Sequence, residues 1–389
     1  MRTVSVEGKT FLDAARDLAP EIIAVREDIE SARRLPKSLV EKMRSARMFE
    51  LWLPQAYGGP ALHPLDFLPI IEELSGADGS AGWCATVGSV YSLLAGSLNE
   101  AAAREIFVDR AIVAGTVNPT GNAVIVENGY RVSGRWGYGS GITHGEWTLG
   151  TCIVQDEAGP RRLPSGAPEM LFAFFPIAEV EVIDTWRVGG LRGTGSHDFA
   201  VDDLFVPSRR AMPAFTAAGV QAGTLYRMPI LSLFCFALAA VTLGIARAAI
   251  DEFVKIATAK IPVGSQTLLR DRPSAQSDVA RAESMVRAAR AGLVEAVRTQ
   301  WEEIAAGQAA SLTARAGVRL ATTFAGEACV RAIERVYNAA GGSAILESGR
   351  LDRCLRDARV AVQHIGLSTG TYELAGKVLL GLEPGTPRF

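Results

Sequence analysis

Apolar residues recur at helical spacing from the N-terminus to about Asp109, alternate at strand spacing from about Ile112, and return to helical spacing beyond Pro229. In the first stretch Leu12, Ala15, Ala19, Ile22, Val25 and Ile29 share one face of a helix, with Thr10 and Asp13 placed to cap it. Pro36 stands as a first-turn proline ahead of Leu39, Val40 and Met43. Tyr57-Gly58-Gly59-Pro60 signals a turn, and helices are expected over Pro64 to Leu74 and Ser80 to Leu98, with another opening at Asn99. The middle stretch predicts strands at Ala123 to Val126, Tyr130 to Val132, Trp147 to Val154, Met170 to Phe175, Val180 to Ile183 and Phe199 to Val206. Glu127-Asn128-Gly129 reads as a hairpin whose Asn-Gly pair supplies the positive φ of a primed turn. Such short strands build a small antiparallel barrel or sandwich. The segment Pro207 to Pro229 is mixed; long helices follow at Ile230 to Thr258, Ser274 to Ile304, Ser311 to Ala340 and Leu351 to Leu380, a four-helix bundle ending in a loose tail, Pro384 to Phe389. The expected fold is mostly α with a central β domain, divided at residues 1–111, 112–213 and 214–389.

Composition narrows the function. A net charge of -2 leaves no footprint for nucleic acid. The five cysteines are an odd number without a Cys-x-x-Cys, which argues against a disulfide framework or a zinc site and fits a reducing cytoplasm. Met1 to Asp13 shows no signal-peptide pattern. The longest uncharged run, Met228 to Ala246, approaches membrane-span length, but Ser232, Thr242 and Gly244 within it and Arg247 and Asp251 after it favour the central helix of a bundle. No metal is expected, since no histidine pair has ligand spacing.

The last helical pattern carries one apolar stripe through Leu355, Ala358, Val362, Ile365, Tyr372, Gly376 and Leu379, and a second through Val360, Leu367, Leu374 and Val378, so the helix should be buried on two sides. His364 stands in the second stripe. It is either a core histidine bonded to a carbonyl or a proton-handling group in a dry pocket.

Several segments, in order and over nearly the whole chain, resemble the acyl-CoA dehydrogenase superfamily, and within it the two-component flavin-dependent monooxygenases (group D). They are Tyr57-Gly58-Gly59-Pro60, Glu72-Glu73-Leu74-Ser75, Ala81-Gly82-Trp83, Asn118-Pro119-Thr120-Gly121, Gly134-Arg135-Trp136 with Ser140-Gly141 and His144, Trp186 through Asp198, Phe205-Val206-Pro207, Gly341-Gly342 and Arg356-Asp357-Ala358. The resemblance implies an N-terminal helical domain, a small β domain and a C-terminal four-helix bundle. It implies reduced FMN or FAD delivered by a separate NAD(P)H-dependent flavin reductase, dioxygen as co-substrate, and hydroxylation of an aromatic or heteroaromatic small molecule through a C4a-hydroperoxyflavin. A homotetramer is also implied.

By the same resemblance Ser140 matches a hydroxyl near flavin N5, and His364 occupies a place where the oxygenases carry a histidine, to hold the peroxide or to deprotonate substrate. Asn118 and Thr120 match the loop at the pyrimidine edge. From the residues themselves, Gly137, Gly139 and Gly141 leave room for a flat ring to approach the backbone, with Trp136 and Tyr138 placed to pack against it. Gln276 matches a cofactor-contacting glutamine, although the Arg and Phe-Gly that commonly precede it are missing, which leaves FMN as plausible as FAD. Gly341-Gly342 caps a helix and matches a turn that holds a neighbouring subunit's flavin tail. Tyr91, Trp83 and His144 match positions around the substrate. Where the dehydrogenases carry their carboxylate base this chain has Ile365, and Glu373 lies about two turns farther on, too far to replace it. Three alternatives stay open: an acyl-CoA dehydrogenase or flavin oxidase, an N- or S-oxygenase of the same fold, and a non-catalytic nucleic-acid-binding relative. Gly189 to Gly195 neither follows a parallel strand nor opens a helix, so it is no dinucleotide fingerprint.

Overall fold

The computed structural model describes residues 4–215, 221–347, 349–386 and 389. Six helices come first: α1 (Val6–Ala24), α2 (Arg26–Ala32), α3 (Lys37–Ser45), α4 (Pro64–Ala77), α5 (Gly79–Leu93) and α6 (Glu100–Ile106). Ser5, not Thr10, caps α1: its Oγ accepts the Gly8 N–H at 3.0 Å, while the Thr10 hydroxyl donates back to the Val6 carbonyl inside the helix. Asp78 caps α5 through Oδ1, which accepts from Ser80 and Ala81.

Strands β1 (Val113–Val126), β2 (Gly129–Gly139), β3 (Trp147–Asp156), β4 (Gly159–Pro160), β5 (Met170–Pro176), β6 (Glu181–Ile183), β7 (His197–Pro207) and β8 (Ala211–Pro213) form one sheet in the order β6-β7-β2-β1-β3-β5-β8, with β4 on β3. The sheet is mixed, because β1 and β3 run parallel. The β1–β2 turn also differs from a primed Asn-Gly turn. Val126 pairs with Gly129, so Glu127 and Asn128 are the loop residues and Asn128 alone takes a positive φ, 62°. Gly129 is instead required by close approach, since a Cβ there would lie 2.3 Å from the Val206 carbonyl oxygen.

Helices α7 (Thr224–Arg227), α8 (Ile230–Ala259), α9 (Pro273–Ala305), α10 (Leu312–Ala340), α11 (Arg350–Ala361) and α12 (Gly370–Leu379) complete the chain. Of the most apolar window of α8, 94% is buried within the protein, which explains its hydrophobic length without a bilayer. Helices from both ends of the chain share one continuous core, and the sheet has its own, centred on Trp136, Phe175 and Phe199. Helices α4 and α8 cross closely: a Cβ at Gly244 would lie 2.3 Å from the Glu72 carbonyl oxygen.

The expected helix from Leu351 to Leu380 is broken. It stops at Ala361, passes through a short turn at Ile365–Leu367, and restarts at Gly370. His364 is extended (φ -66°, ψ 136°) and heads the turn rather than riding on a helix. Within the break Gly366 lies against Cys235 and Leu238 of α8, where a Cβ would have only 3.2 Å to each. Two members of the predicted stripe, Ile365 and Leu379, are consequently 62% and 66% exposed. The tail is not loose at its last residue, because Phe389 is buried with Ala316 and Ala375; residues 387 and 388 lie outside the described residues.

Candidate active site

A cavity of about 360 Å³ opens where α5, α8 and the end of α11 meet the sheet. Trp83, Tyr91, Phe234, Tyr138 and Trp186 supply aromatic walls, and Asn118, Ser140, Thr194, Ser196 and His364 bring polar atoms to them. Its lining contains no aspartate or glutamate.

The hydroxyls form a connected row. The Trp83 indole N–H donates to Ser140 Oγ at 3.1 Å; Ser140 and Ser196 lie 2.7 Å apart, as do Ser196 and Thr194, and the Thr194 hydroxyl donates to the Leu191 carbonyl at 2.8 Å. Leu191 is itself anchored from below. Its N–H donates to Asp357 Oδ1 at 2.6 Å, and Arg356 donates to the Gly189 carbonyl while pairing with Asp352 and Glu30. The Arg-Asp pair is therefore the clamp by which α11 holds the loop carrying Thr194 and Ser196.

His364 approaches edge-on to Trp83 and Phe234, with ring centroids at 5.9 and 5.2 Å. Its Nδ1 accepts the Gly366 N–H at 3.0 Å, so a neutral ring carries its proton on Nε2. Burial first, and the Arg319 guanidinium second, push its pKa down to about 4. Arg319 is buried and reaches Cys235 Sγ and Thr371 Oγ1, with no carboxylate ion pair among the described residues. At neutral pH His364 thus presents a donor, Nε2–H, and no free lone pair.

Of the residues singled out in the sequence, the cavity gathers Trp83, Tyr91, Asn118, Tyr138, Ser140, His364 and Ile365. The others stand elsewhere. Trp136 is fully buried in the core of the sheet, stacked on Phe199 at 5.2 Å, with its N–H on the Thr151 carbonyl, so it packs on no ring in the cavity. The neighbouring glycines serve that packing: a Cβ at Gly121, Gly134 or Gly150 would lie within 2.8 Å of the Trp136 ring. Gly139 lies against β7, with the His197 carbonyl 3.0 Å from where its Cβ would be. Thr120 turns away and donates to the Arg135 carbonyl. His144 packs on Phe49 behind the Ser140-Gly141 turn, outside the cavity lining, and both its ring nitrogens are unpartnered. Gln276 is exposed and donates to the Arg270 carbonyl; Gly341 and Gly342 are exposed at the end of α10, where Gly341 takes the C-cap position. Phe234, Thr194 and Ser196 carried no expected role. Short polar side chains inside the glycine-rich run Gly189–Gly195 and just beyond were the available signal.

The chain is similar in sequence and fold to known proteins. Residues 5–106 match the model of the acyl-CoA dehydrogenase N-terminal domain, and residues 236–369 that of its C-terminal domain. An indole-3-acetate monooxygenase from Pseudomonas putida is 32% identical over 97% of this chain and 94% of its own. The chain belongs to the acyl-CoA dehydrogenase family. Within that family it is a flavin-dependent monooxygenase. Among solved structures, the HsaA monooxygenase of M. tuberculosis superposes with a TM-score of 0.89 at 28% identity, covering 98% of this chain and 100% of the other. XiaF from Streptomyces sp., in complex with FADH2 and glycerol, gives 0.90 at 26% identity, covering 98% and 97%.

The cavity fits the flavin that such a monooxygenase uses. Pairing of β1 with β3 breaks between Thr116 and Gly121, and pairing with β2 begins only at Asn122, so the backbone at Val117 and Asn118 lies beside the cavity outside both ladders. The Asn118 N–H makes only a long bond to Thr116 Oγ1, at 3.4 Å, so polar backbone outside the ladders stands next to aromatic walls, as suits a flat heterocycle whose rim carries both N–H and C=O groups.

Proposed function

We propose that this protein is the oxygenase component of a two-component system, which takes reduced FMN or FAD from a partner reductase and hydroxylates an aromatic small molecule in the cytoplasm. The observation that carries this reading is a cavity with a histidine donor and a row of hydroxyls but no carboxylate. Dehydrogenation of an acyl thioester needs a base for the α-proton, and Ile365 lines the cavity where the family's base would stand. Glu373 is engaged with Lys377 on α12. The relatives point the same way, one being an indole-3-acetate monooxygenase and another an FADH2-dependent resorcinol hydroxylase, oxygenase component.

Bound reduced flavin supplies the two electrons and activates dioxygen, one oxygen atom going to substrate and the other to water. The protein supplies the surroundings. Trp83, Phe234 and Trp186 exclude water from the reacting oxygen. His364 Nε2–H donates to the activated oxygen rather than taking a proton from substrate, because its Nδ1 is occupied and the ring is a weak base. Tyr91 and Trp83 border the substrate, and Asn118 with the β1 bulge holds a polar ring edge. The exposed turn at Gly341-Gly342 is free to meet a neighbouring subunit.

The test is turnover with an NADH:flavin reductase, FMN or FAD and a panel of indoles and phenols, measuring product and hydrogen peroxide together. Product is expected from an aromatic compound, with His364→Ala diverting electrons to hydrogen peroxide by up to about tenfold, the upper scale of one ordinary hydrogen bond. Bleaching of protein-bound oxidised flavin by an acyl-CoA under anaerobic conditions would overturn the reading.

A further inference from the structure

The row of hydroxyls has a polarity that its two ends determine. A carbonyl cannot donate, so the 2.8 Å contact between Thr194 Oγ1 and the Leu191 oxygen uses the only hydroxyl hydrogen of Thr194. The 2.7 Å contact of Thr194 with Ser196 then requires the hydrogen of Ser196, and the 2.7 Å contact of Ser196 with Ser140 requires that of Ser140. At the other end the Trp83 indole can only donate, and it does so to Ser140. Every hydrogen in the row is committed, and all three hydroxyls line the cavity. What they have left for a ligand is lone pairs.

Flavin changes character at one rim position between its two states. N5 is an acceptor in the oxidised ring and carries a hydrogen in the reduced ring. A wall that only accepts therefore gains with reduced flavin a bond that oxidised flavin cannot make, and sets lone pair against lone pair when the ring is oxidised.

We propose that Ser196 and Thr194 are positioning residues that lock the Ser140 hydroxyl as an acceptor toward the cavity, so that the site selects reduced over oxidised flavin. The inference rests on the flavin reading of this cavity. It extends that reading to the exchange of cofactor: the reduced carrier is retained for oxygen chemistry, and the oxidised one is released to return to the reductase. The clamp from Asp357 to Leu191 belongs to the same device, since it fixes the carbonyl on which the row ends.

The experiment measures the dissociation constants of photoreduced flavin, under anaerobic conditions, and of oxidised flavin, for FMN and FAD separately, in the wild type, Ser196→Ala, Ser196→Thr and Thr194→Val. The wild type is expected to bind the reduced form more tightly. Ser196→Ala and Thr194→Val release the hydrogen of Ser140 to turn into the cavity, and the oxidised-to-reduced Kd ratio should fall about fivefold, the scale of one ordinary hydrogen bond. Ser196→Thr keeps a hydroxyl in the row and should keep the wild-type ratio. A ratio unchanged in Ser196→Ala, or lowered as much in Ser196→Thr, overturns the positioning role while leaving the flavin site intact. Failure of the wild type to bind either form of either flavin overturns both.

Discussion

Asp357→Asn separates the structural work of the Arg-Asp pair from the chemistry of the site. Asp357 is fully enclosed beside Asp78, with Gly79 between them so tightly placed that a Cβ there would lie 2.8 Å from Asp357 Oδ2. Burial pushes both carboxyls up. Asp78 has Arg353 opposing the rise, then the Ala81 amide, Arg26 and the Ser80 amide, whereas Asp357 also feels the charge of Asp78 and of Glu30, relieved by the Leu191 N–H and Arg353. Asp357 therefore keeps its proton well above the ordinary carboxylate range, its pKa rising to about 8. A carboxyl raised in the folded state binds more protons there than in the unfolded chain, so the stability it contributes is full below about pH 3.9 and is lost as pH climbs toward 8. Asparagine keeps an oxygen for the Leu191 N–H and carries no such titration. The difference in unfolding free energy between variant and wild type should shift in favour of the variant as pH rises from 5.5 to 7.5, by on the order of 1 kcal/mol per pH unit. His144 and His364, whose shifts have causes other than Asp357, are common to both proteins and cancel, whereas Asp78 is part of the pair under test. Urea unfolding followed by helical circular dichroism at matched pH values measures it. A difference that stays flat with pH, or that moves toward the wild type as pH rises, refutes the assignment of the proton.

Two further outcomes follow from the geometry. The imidazole carbon resonances of His364, assigned by comparison with His364→Gln in flavin-free protein, should titrate near pH 4, and Arg319→Met should move the midpoint upward without reaching the ordinary histidine value, because burial is the larger cause; a wild-type midpoint near 6.5 would refute the neutral donor. Since that pKa is depressed, the stability contributed by neutral His364 is present above about pH 6.5 and is lost as pH falls toward 4. Gly150→Ala places a methyl 2.7 Å from the Trp136 ring in the packed core of the sheet, and should cost about 1–3 kcal/mol as overpacking, read as a lowered Tm with the residual structure intact; an unchanged Tm would show that the ring can move aside.

What could be read along the chain was what local rules decide. The spans of α4, α8, α9 and α10, the cap at Asn99 before α6 and the strands β3, β5 and β7 follow from periodicity and punctuation that act within a few residues. The break after Ala361 does not, because Val362, Ile365, Tyr372 and Leu379 continue a helical spacing to the eye. The break sets Gly366 against Cys235, more than a hundred positions away, a contact that no local spacing announces. Trp136 was misjudged for a related reason. Glycines near an aromatic ring look like room for a flat ligand, but Gly139 packs against β7, and Gly121, Gly134 and Gly150 make the room for the tryptophan itself.

His364 shows how far residue type can carry a site and where it stops. Its identity and place in the chain single it out, and they leave two opposed roles, donor to an oxygen species or base toward substrate. The proposed donor role rests on one backbone bond from Gly366, which occupies Nδ1 and leaves the proton on Nε2, together with the buried Arg319 that disfavours a second positive charge. The same logic governs Ser140. A serine can donate or accept, and its sense here is set two residues along the row, at Thr194, by a carbonyl that can only accept. Donor at the histidine and acceptor at the serine are thus properties of partners distant in sequence. They give the cavity a sense of polarity that can distinguish the two states of a flavin without a single charged side chain in its wall.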